Sequence, residues 1–375
     1  MRAVARDGAR AELSAAALQR IEASHDRLRA TVRAGHPVYG VTTGLGAAVD
    51  TPRAAADSAV QRRIPLARAA GVGPRLPRDI VRATMLARLS RLAVGASGIS
   101  VGMAQALAAM LDRGATPVVP SIGSIGEADL VPLAHIGALL AGDGQAEWNG
   151  ALLPATEALA RAGIPMPEWG LKDGLALVCS NAAAVGQAAL LVSDTGRALN
   201  AGLAAAALSL EAFRGSLTPF DPRAVALRPT PFQAETAAAL LDLLDGSDLA
   251  TSGAARRLQD PLSFRALASV HAAALAATDN ARSLVELELN TSDDNPAIID
   301  GDALPTANFD STALALAIET LGQAILRVAS ASAGRVMRLM SPAVNDLPRF
   351  LAPPGQNGFA TVQKTVAALL AKMQH

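Results

Sequence analysis

The chain has one cysteine, one tyrosine and three lysines in 375 residues, and only 3% of its residues are aromatic. A single cysteine, Cys179, excludes an internal disulfide framework and any zinc site built from clustered thiolates, and it fits a reducing, cytoplasmic compartment. With so few rings, a core must be built from the Ala, Leu, Val and Ile of the 51% apolar fraction, a mixture that favours closely packed helices. Neither sign of charge is in excess: Lys plus Arg and Asp plus Glu both total 33, so no sequence-wide field draws the chain to nucleic acid or anionic membrane. A small molecule is the better partner. No apolar stretch follows the positive charges of Met1-Arg2-Ala3-Val4-Ala5-Arg6-Asp7-Gly8, so a signal peptide is not expected. The most apolar region, residues 182–210, is interrupted by Gln187, Asp194 and Arg197 and reads as a buried helix, not a membrane span. Because nearly all basic residues are arginine, Lys172, Lys364 and Lys372 each stand out.

What the sequence does contain is helical periodicity. Residues 9–34 space apolar positions between charges, with Ser14 as an N-cap. Residues 36–46 hold too many glycines for a helix and no alternation for a strand, which makes them a loop of the kind that often carries function. Residues 79–112 are helical with a break near Gly95-Ala96-Ser97-Gly98. Another helix is expected to start after Gly126, with Glu127 and Asp129 in its first turn, where carboxylates complement the positive end of the dipole. Long helices are expected over 173–213, 261–288 and 310–340, and a shorter one over 231–245. Together they make an all-α, long-helix bundle. An N-terminal helical and loop region, 1–170, would precede a central bundle, 171–375, with short strands only near Ala297 to Asp300.

Several segments, in order, resemble the aromatic amino acid lyase superfamily of histidine and phenylalanine ammonia-lyases. Tyr39-Gly40-Val41-Thr42-Thr43-Gly44-Leu45-Gly46 is similar to its Tyr-Gly-x-x-Thr-Gly-Phe-Gly loop. Gly123-Ser124-Ile125-Gly126 followed by Asp129-Leu130-Val131-Pro132-Leu133-Ala134-His135 resembles its cofactor-forming segment. Gln259-Asp260-Pro261-Leu262-Ser263-Phe264-Arg265 resembles Gln-Asp-Pro-Tyr-Ser-Leu-Arg, and Thr291-Ser292-Asp293-Asp294-Asn295-Pro296, Asn308-Phe309 and Gly358-Phe359 match later landmarks. The resemblance implies the ammonia-lyase and fumarase-like helical fold, a homotetramer whose active sites are completed by loops of different subunits, and a carboxylate-bearing small-molecule substrate.

The family's electrophile, a methylidene-imidazolone, arises by cyclisation of an internal Ala-Ser-Gly. Only Glu127 and Ala128 lie between Gly126 and Asp129, so that tripeptide is missing and no cofactor is expected. Cys179 replaces the Asn of Leu-Leu-Asn-Gly-Thr within Leu177-Val178-Cys179-Ser180-Asn181, and Ala67-Arg68 replaces a Ser-His pair. The chain stops at His375 while relatives run on to a further Glu, which marks either a short natural form or a truncated one.

By resemblance Tyr39 is the acid/base. A phenol, with an ordinary pKa near ~10, acts as a base only where a cation favours the phenolate; the bland alternative is a loop anchor. Arg265 would grip the substrate carboxylate through bidentate donors, or else pair with Asp260 or Glu286. Asn308 and Phe309 would contact the ligand or merely fill the core. Glu127 could act in the vacated slot or simply stabilise its helix. Arg68 would hold an anion, and Lys364, on an otherwise apolar helical face, would be costly unless paired. Cys179, Asn181 and Gln259 complete the candidate pocket, although a cysteine is more often a small buried apolar residue, and His135 and His271 read as structural.

These residues point to an electrophile-free carbon–nitrogen lyase performing β-elimination on an amino acid or betaine. Ergothionase, a superfamily member that lacks the imidazolone and expels trimethylamine, makes a histidine-related substrate attractive. The rivals are an inactive homologue that binds or scaffolds, and an isomerase or dehydratase using Tyr39 and Glu127.

Overall fold

Ser14 accepts the Ala17 N–H at 3.2 Å and starts the Ala15–Arg33 helix, whose buried face recurs at Ala17, Ile21, Ser24, Leu28 and Thr31. The structure, a computed structural model, describes residues 1–53 and 58–374. The 79–112 region folds as Arg78–Leu92 and Val101–Asp112, the second helix capped by Ser100 through the Met103 N–H at 3.3 Å. Two compact units result. One comprises Met1–Leu191 and Leu284–Ala315, the other Val192–Ser283 and Leu316–His375. Residues 171–191 and 284–315 thus fall with the first unit instead of following a division at 170.

In the first unit the helices Ser58–Leu66, Leu130–Leu140 and Asp173–Val178 pack against one another, and Arg78–Leu92 meets the start of Ala182–Phe213 at Gly186. Small residues set the close approaches. A Cβ on Gly186 would lie 2.6 Å from the Ala83 backbone, and one on Gly174 would lie 1.9 Å from the Gln61 carbonyl oxygen. Backbone cannot move aside as a flexible side chain can, so Gly174→Ala is expected to destabilise the protein by about 1–3 kcal/mol. Chemical denaturation checks this, and an unchanged midpoint would contradict the packing.

The second unit gathers the rare rings. Phe213 and Phe264 stack with centroids 4.2 Å apart and planes inclined 17°, beside buried Phe220, Leu210, Leu240 and Leu267. Three of the seven phenylalanines therefore serve one core, each burying far more apolar area than the alanines around it.

Two expected long helices are interrupted. The 173–213 run splits into Asp173–Val178 and Ala182–Phe213 around Cys179-Ser180-Asn181, and the 261–288 run into Leu262–Arg265 and Leu267–Leu289. The 310–340 and 231–245 expectations become Thr312–Leu339 and Gln233–Asp242. The hairpin Ala297–Ile299 with Asp302–Leu304 lies where short strands were expected. Two further antiparallel sheets were not foreseen: Val72–Arg75 with Pro120–Ile122, and Thr116–Pro117 with the hairpin Gln145–Trp148 and Ala151–Pro154. Strands this short show no alternation to read. Among the described residues two stretches, Asp173–Phe213 and Thr312–Leu339, are long and apolar enough to cross a membrane, and the first is 78% buried over its most apolar window, as a core helix is.

Candidate active site

The tyrosine loop is held from within. Val38 N–H donates to Thr42 Oγ1 at 2.7 Å and Gly40 N–H to Thr43 Oγ1 at 3.2 Å, while Gly40 adopts φ +70. A Cβ at Gly40 would meet Leu45 at 2.6 Å and Leu175 at 2.7 Å, so glycine is required for space as well as for backbone angle. Tyr39 is half-buried, and its phenol oxygen accepts the Gly46 N–H at 3.1 Å, which leaves its own O–H proton to be donated elsewhere. Gln61 ties this loop to the next element: its Nε2 donates to Gly40 O at 2.9 Å and its Oε1 accepts Leu175 N–H at 3.2 Å.

The segment that should carry the cofactor is not the start of a helix. Helix Leu130–Leu140 begins three residues after Glu127, and Glu127 instead forms an isolated antiparallel bridge with Asp310. Ser311 Oγ donates to Gly126 O at 2.7 Å, reinforcing the pairing. The expectation that Glu127 sits in a helical first turn is thereby corrected, because its backbone is committed to the 308–311 segment. Partial desolvation and the neighbouring Asp310 charge push the Glu127 carboxyl above its ordinary range. Ala128 follows in the left-handed region at φ +50, and Asp129 N–H donates to Ser180 O at 2.7 Å.

Asp129 is buried and turned to the N-terminus of Ala182–Phe213, where its Oδ2 accepts Ala184 N–H at 2.8 Å and its Oδ1 accepts from Ser124 Oγ. Burial raises its proton affinity against those donors. Asp293 serves the same helix end, accepting Ser180 Oγ at 2.7 Å and Asn181 N–H at 2.8 Å. The break at 179–181 is thus where two carboxylates meet the positive end of a 32-residue helix. Behind Asp293 lies a buried ionic network. Arg88 donates to Asp293 at 3.2 Å, to Asp294 at 2.9 Å and through Nε to Ala176 O at 2.8 Å. Arg91 bridges Asp293 and Glu288, and the fully buried Lys172 donates to Ser97 O at 2.7 Å with Asp294 at 3.5 Å. Burial lowers the Lys172 pKa and raises that of Cys179 beside the network.

Within the first unit, then, the 126–129 loop, the 179–181 break and the 308–311 segment converge. They bring Glu127 to Asn308-Phe309-Asp310 and the following Asp129 to Cys179-Ser180-Asn181. Asn308 is exposed, Phe309 half-buried, and Asn181 Oδ1 is buried without a hydrogen-bond partner. Arg68 lies just past Ser58–Leu66 with Nη1 on the Ile64 carbonyl at 3.2 Å. His135 accepts the Gly71 N–H at 3.1 Å, in keeping with a structural histidine.

The second unit holds Gln259, which is exposed, and Arg265, whose Nε is buried with no hydrogen-bond partner. The expected bland pairing with Asp260 is not formed: Asp260 Oδ2 accepts Ser216 N–H at 2.6 Å instead. Lys364, on Val362–Gln374, is exposed, so within the chain the desolvation cost expected of it does not arise. Sequence reading missed Asp310 and Arg88, and quoted Asp293 only as part of a motif, without a role. The Asp310-Ser311-Thr312 run before a helical stretch is a cap signal that could have drawn attention to the first.

A long-helix core that carries a tyrosine-bearing glycine loop, tied to Gln61 and Leu175, and a separate loop docked on the head of a long helix defines an all-α protein of the ammonia-lyase fold. A family model described as aromatic amino acid lyase matches residues 1–375, and the chain belongs to that family. It is 37% identical over 377 residues to histidine ammonia-lyase of Treponema denticola, covering 99% of this chain and 74% of that protein. It is 41% identical over 391 residues to histidine ammonia-lyase of Anaeromyxobacter dehalogenans, covering 99% and 76%. Among solved structures it resembles the ergothioneine-degrading enzyme ergothionase from Treponema denticola, in complex with desmethyl-ergothioneine sulfonic acid. That likeness has a TM-score of 0.93 at 31% identity and covers 99% of this chain and 76% of the other. The coarse activity is that of a carbon–nitrogen lyase acting on a small amino acid.

Proposed function

We propose that the protein eliminates an amine from a small carboxylate-bearing amino acid or betaine without a backbone-derived electrophile. The 126–129 segment carries this reading. Closing a methylidene-imidazolone needs a serine to dehydrate and a glycine nitrogen to attack; Glu127 and Ala128 supply neither, and the Asp129 N–H is engaged by Ser180. These residues do not fit that group. A leaving group that already carries positive charge departs with the C–N electron pair as a neutral amine and needs no electrophile. The likeness to an ergothioneine-degrading enzyme supports a histidine-related substrate.

In this reading Tyr39, on the first unit, moves the proton from carbon, with Arg68, Cys179, Asn181, Asn308 and Phe309 as that unit's candidate contacts; Arg265, on the second unit, holds a carboxylate, with Gln259 and Lys364 as candidate contacts there; and the assembly is a homotetramer. The buried, unpartnered Arg265 Nε supports an anionic ligand, since an orphaned charged donor is costly. Arg265→Ala is expected to raise KM by about 10–100-fold, the loss of a charge-assisted hydrogen-bond pair, with a smaller change in kcat. Steady-state kinetics check this; a KM unchanged within twofold would remove Arg265 from the site.

The test of function is a panel of quaternary-ammonium and free amino acids, followed for release of amine and appearance of a conjugated acid. Release from a betaine supports the proposal. No release from any member, with binding retained, would leave a non-catalytic binder. An imidazolone absorbance band in the purified protein would overturn the electrophile-free part.

A further inference from the structure

Burying a charge is costly unless it is paired, and one guanidinium of the second unit is buried without a carboxylate. Arg335 is 2% exposed. Its Nη1 donates to Ser263 O at 3.1 Å, its Nε has no hydrogen-bond partner, and among the described residues it forms no ion pair. Desolvation lowers its pKa only to about 10, so the group stays cationic at neutral pH.

Arg335 lies on the wall of a cavity of about 370 Å³ between the second-unit stretches of Ala182–Phe213 and Thr312–Leu339. That volume falls within the range of small-molecule sites, about 300–1,000 Å³. The rest of the wall is mostly apolar, formed by Leu199, Ile325, Val328 and Ala329, with a hydroxyl from Thr195. Among the described residues its one carboxylate is Asp194, which pairs with exposed Arg197 at 2.5 Å. A second orphaned polar atom adjoins the cavity. His271 Nε2 is buried without a partner and lies 3.5 Å from where a Cβ on Gly202, a lining residue, would stand. None of the residues given a role in elimination lines this space.

We infer that the cavity is a second ligand site, which takes a small monocarboxylate with an apolar body. The carboxylate accepts from Arg335, whose planar fork suits its two oxygens. The apolar body lies against Leu199, Ile325 and Val328, where its burial adds to the charge-assisted contact. One fixed cation matches one negative charge. A phosphate monoester brings a second charge that no other cation on the wall neutralises. The inference needs neither Tyr39 nor Arg265, so it stands or falls apart from the elimination reading.

The test titrates the full chain calorimetrically with hexanoate, using hexan-1-ol as the uncharged control. Hexanoate is expected to saturate a site that hexan-1-ol does not fill over the same range, and that binding is expected to survive Arg265→Ala. Arg335→Met should weaken it by about 10–100-fold, the loss of a charge-assisted hydrogen-bond pair. Should Arg335→Met fail to fold, Ala329→Phe keeps the guanidinium and fills the cavity, and it should weaken binding to a similar degree. No saturable binding at millimolar hexanoate overturns the inference, as does hexan-1-ol binding as tightly as hexanoate. Binding that Arg265→Ala abolishes places the probe at the substrate site and overturns it too, as does binding that neither Arg335→Met nor Ala329→Phe weakens. Light scattering completes the test: a wild type that binds no hexanoate, with a smaller oligomer in Arg335→Met, overturns the ligand site in favour of an acidic side chain from a second copy of the chain.

Discussion

Arg88→Ala is expected to destabilise the protein by about 3–5 kcal/mol, the scale seen when one member of a buried ion pair is removed. The Arg88 side chain is 1% exposed and serves three acceptors at once: Asp293, Asp294 and the Ala176 carbonyl. Deleting it strands two carboxylates where solvent cannot reach them. Arg91 and Lys172 remain nearby, but Arg91 is shared with Glu288 and Lys172 lies 3.5 Å from Asp294. Arg88→Lys should recover only part of the loss, because a point charge cannot reproduce a planar fork that bonds several oxygens together. Calorimetry and chemical denaturation measure both variants. A loss below about 1 kcal/mol for Arg88→Ala would mean that the network is solvated or redundant.

The same network explains why part of the fold was legible in the sequence and part was not. Ser14 and the 36–46 glycine loop are local signals that produced the expected elements, and the long alanine-rich runs produced helices but not their breaks. The break at 179–181 is not local. It exists because Asp293, over a hundred residues later in the chain, and Asp129 on another loop supply acceptors to the exposed N–H groups of a new helix start. Ser180 and Asn181 have cap chemistry, yet an unbroken apolar run hides it. Likewise Glu127 has the residue type and spacing of a first-turn carboxylate, and only its pairing with residue 310 takes it out of the helix. Lys172 was conspicuous through rarity, and its setting accounts for that: a fully buried ammonium among carboxylates of a core otherwise served by arginine.

The candidate site divides along the same line. Tyr39, Glu127, Asn308 and Phe309 could be named from motif order because each lies in a segment with its own signature. Asp310 was legible only as a helix cap, since nothing in a sequence states which segment a loop's backbone will pair with. The rarity of aromatic residues makes Tyr39 unusually diagnostic: no second phenol exists in the chain to take its place.

Tyr39→Phe should therefore lower kcat by about 10²–10⁴-fold, the usual contribution of a positioned acid or base, while leaving the fold intact. The substitution removes one oxygen that accepts the Gly46 N–H at 3.1 Å in an exposed stretch of loop, where water can replace it. The expected cost in stability is no more than about 1 kcal/mol. The loop keeps its shape through Thr42, Thr43 and Gln61, none of which bonds to the phenol. A merely anchoring tyrosine predicts the opposite pattern, with a small stability loss and turnover within a fewfold of wild type. Comparing kcat and denaturation midpoint for the two proteins separates the cases, and unchanged turnover with any amine-releasing substrate would end the role assigned to Tyr39.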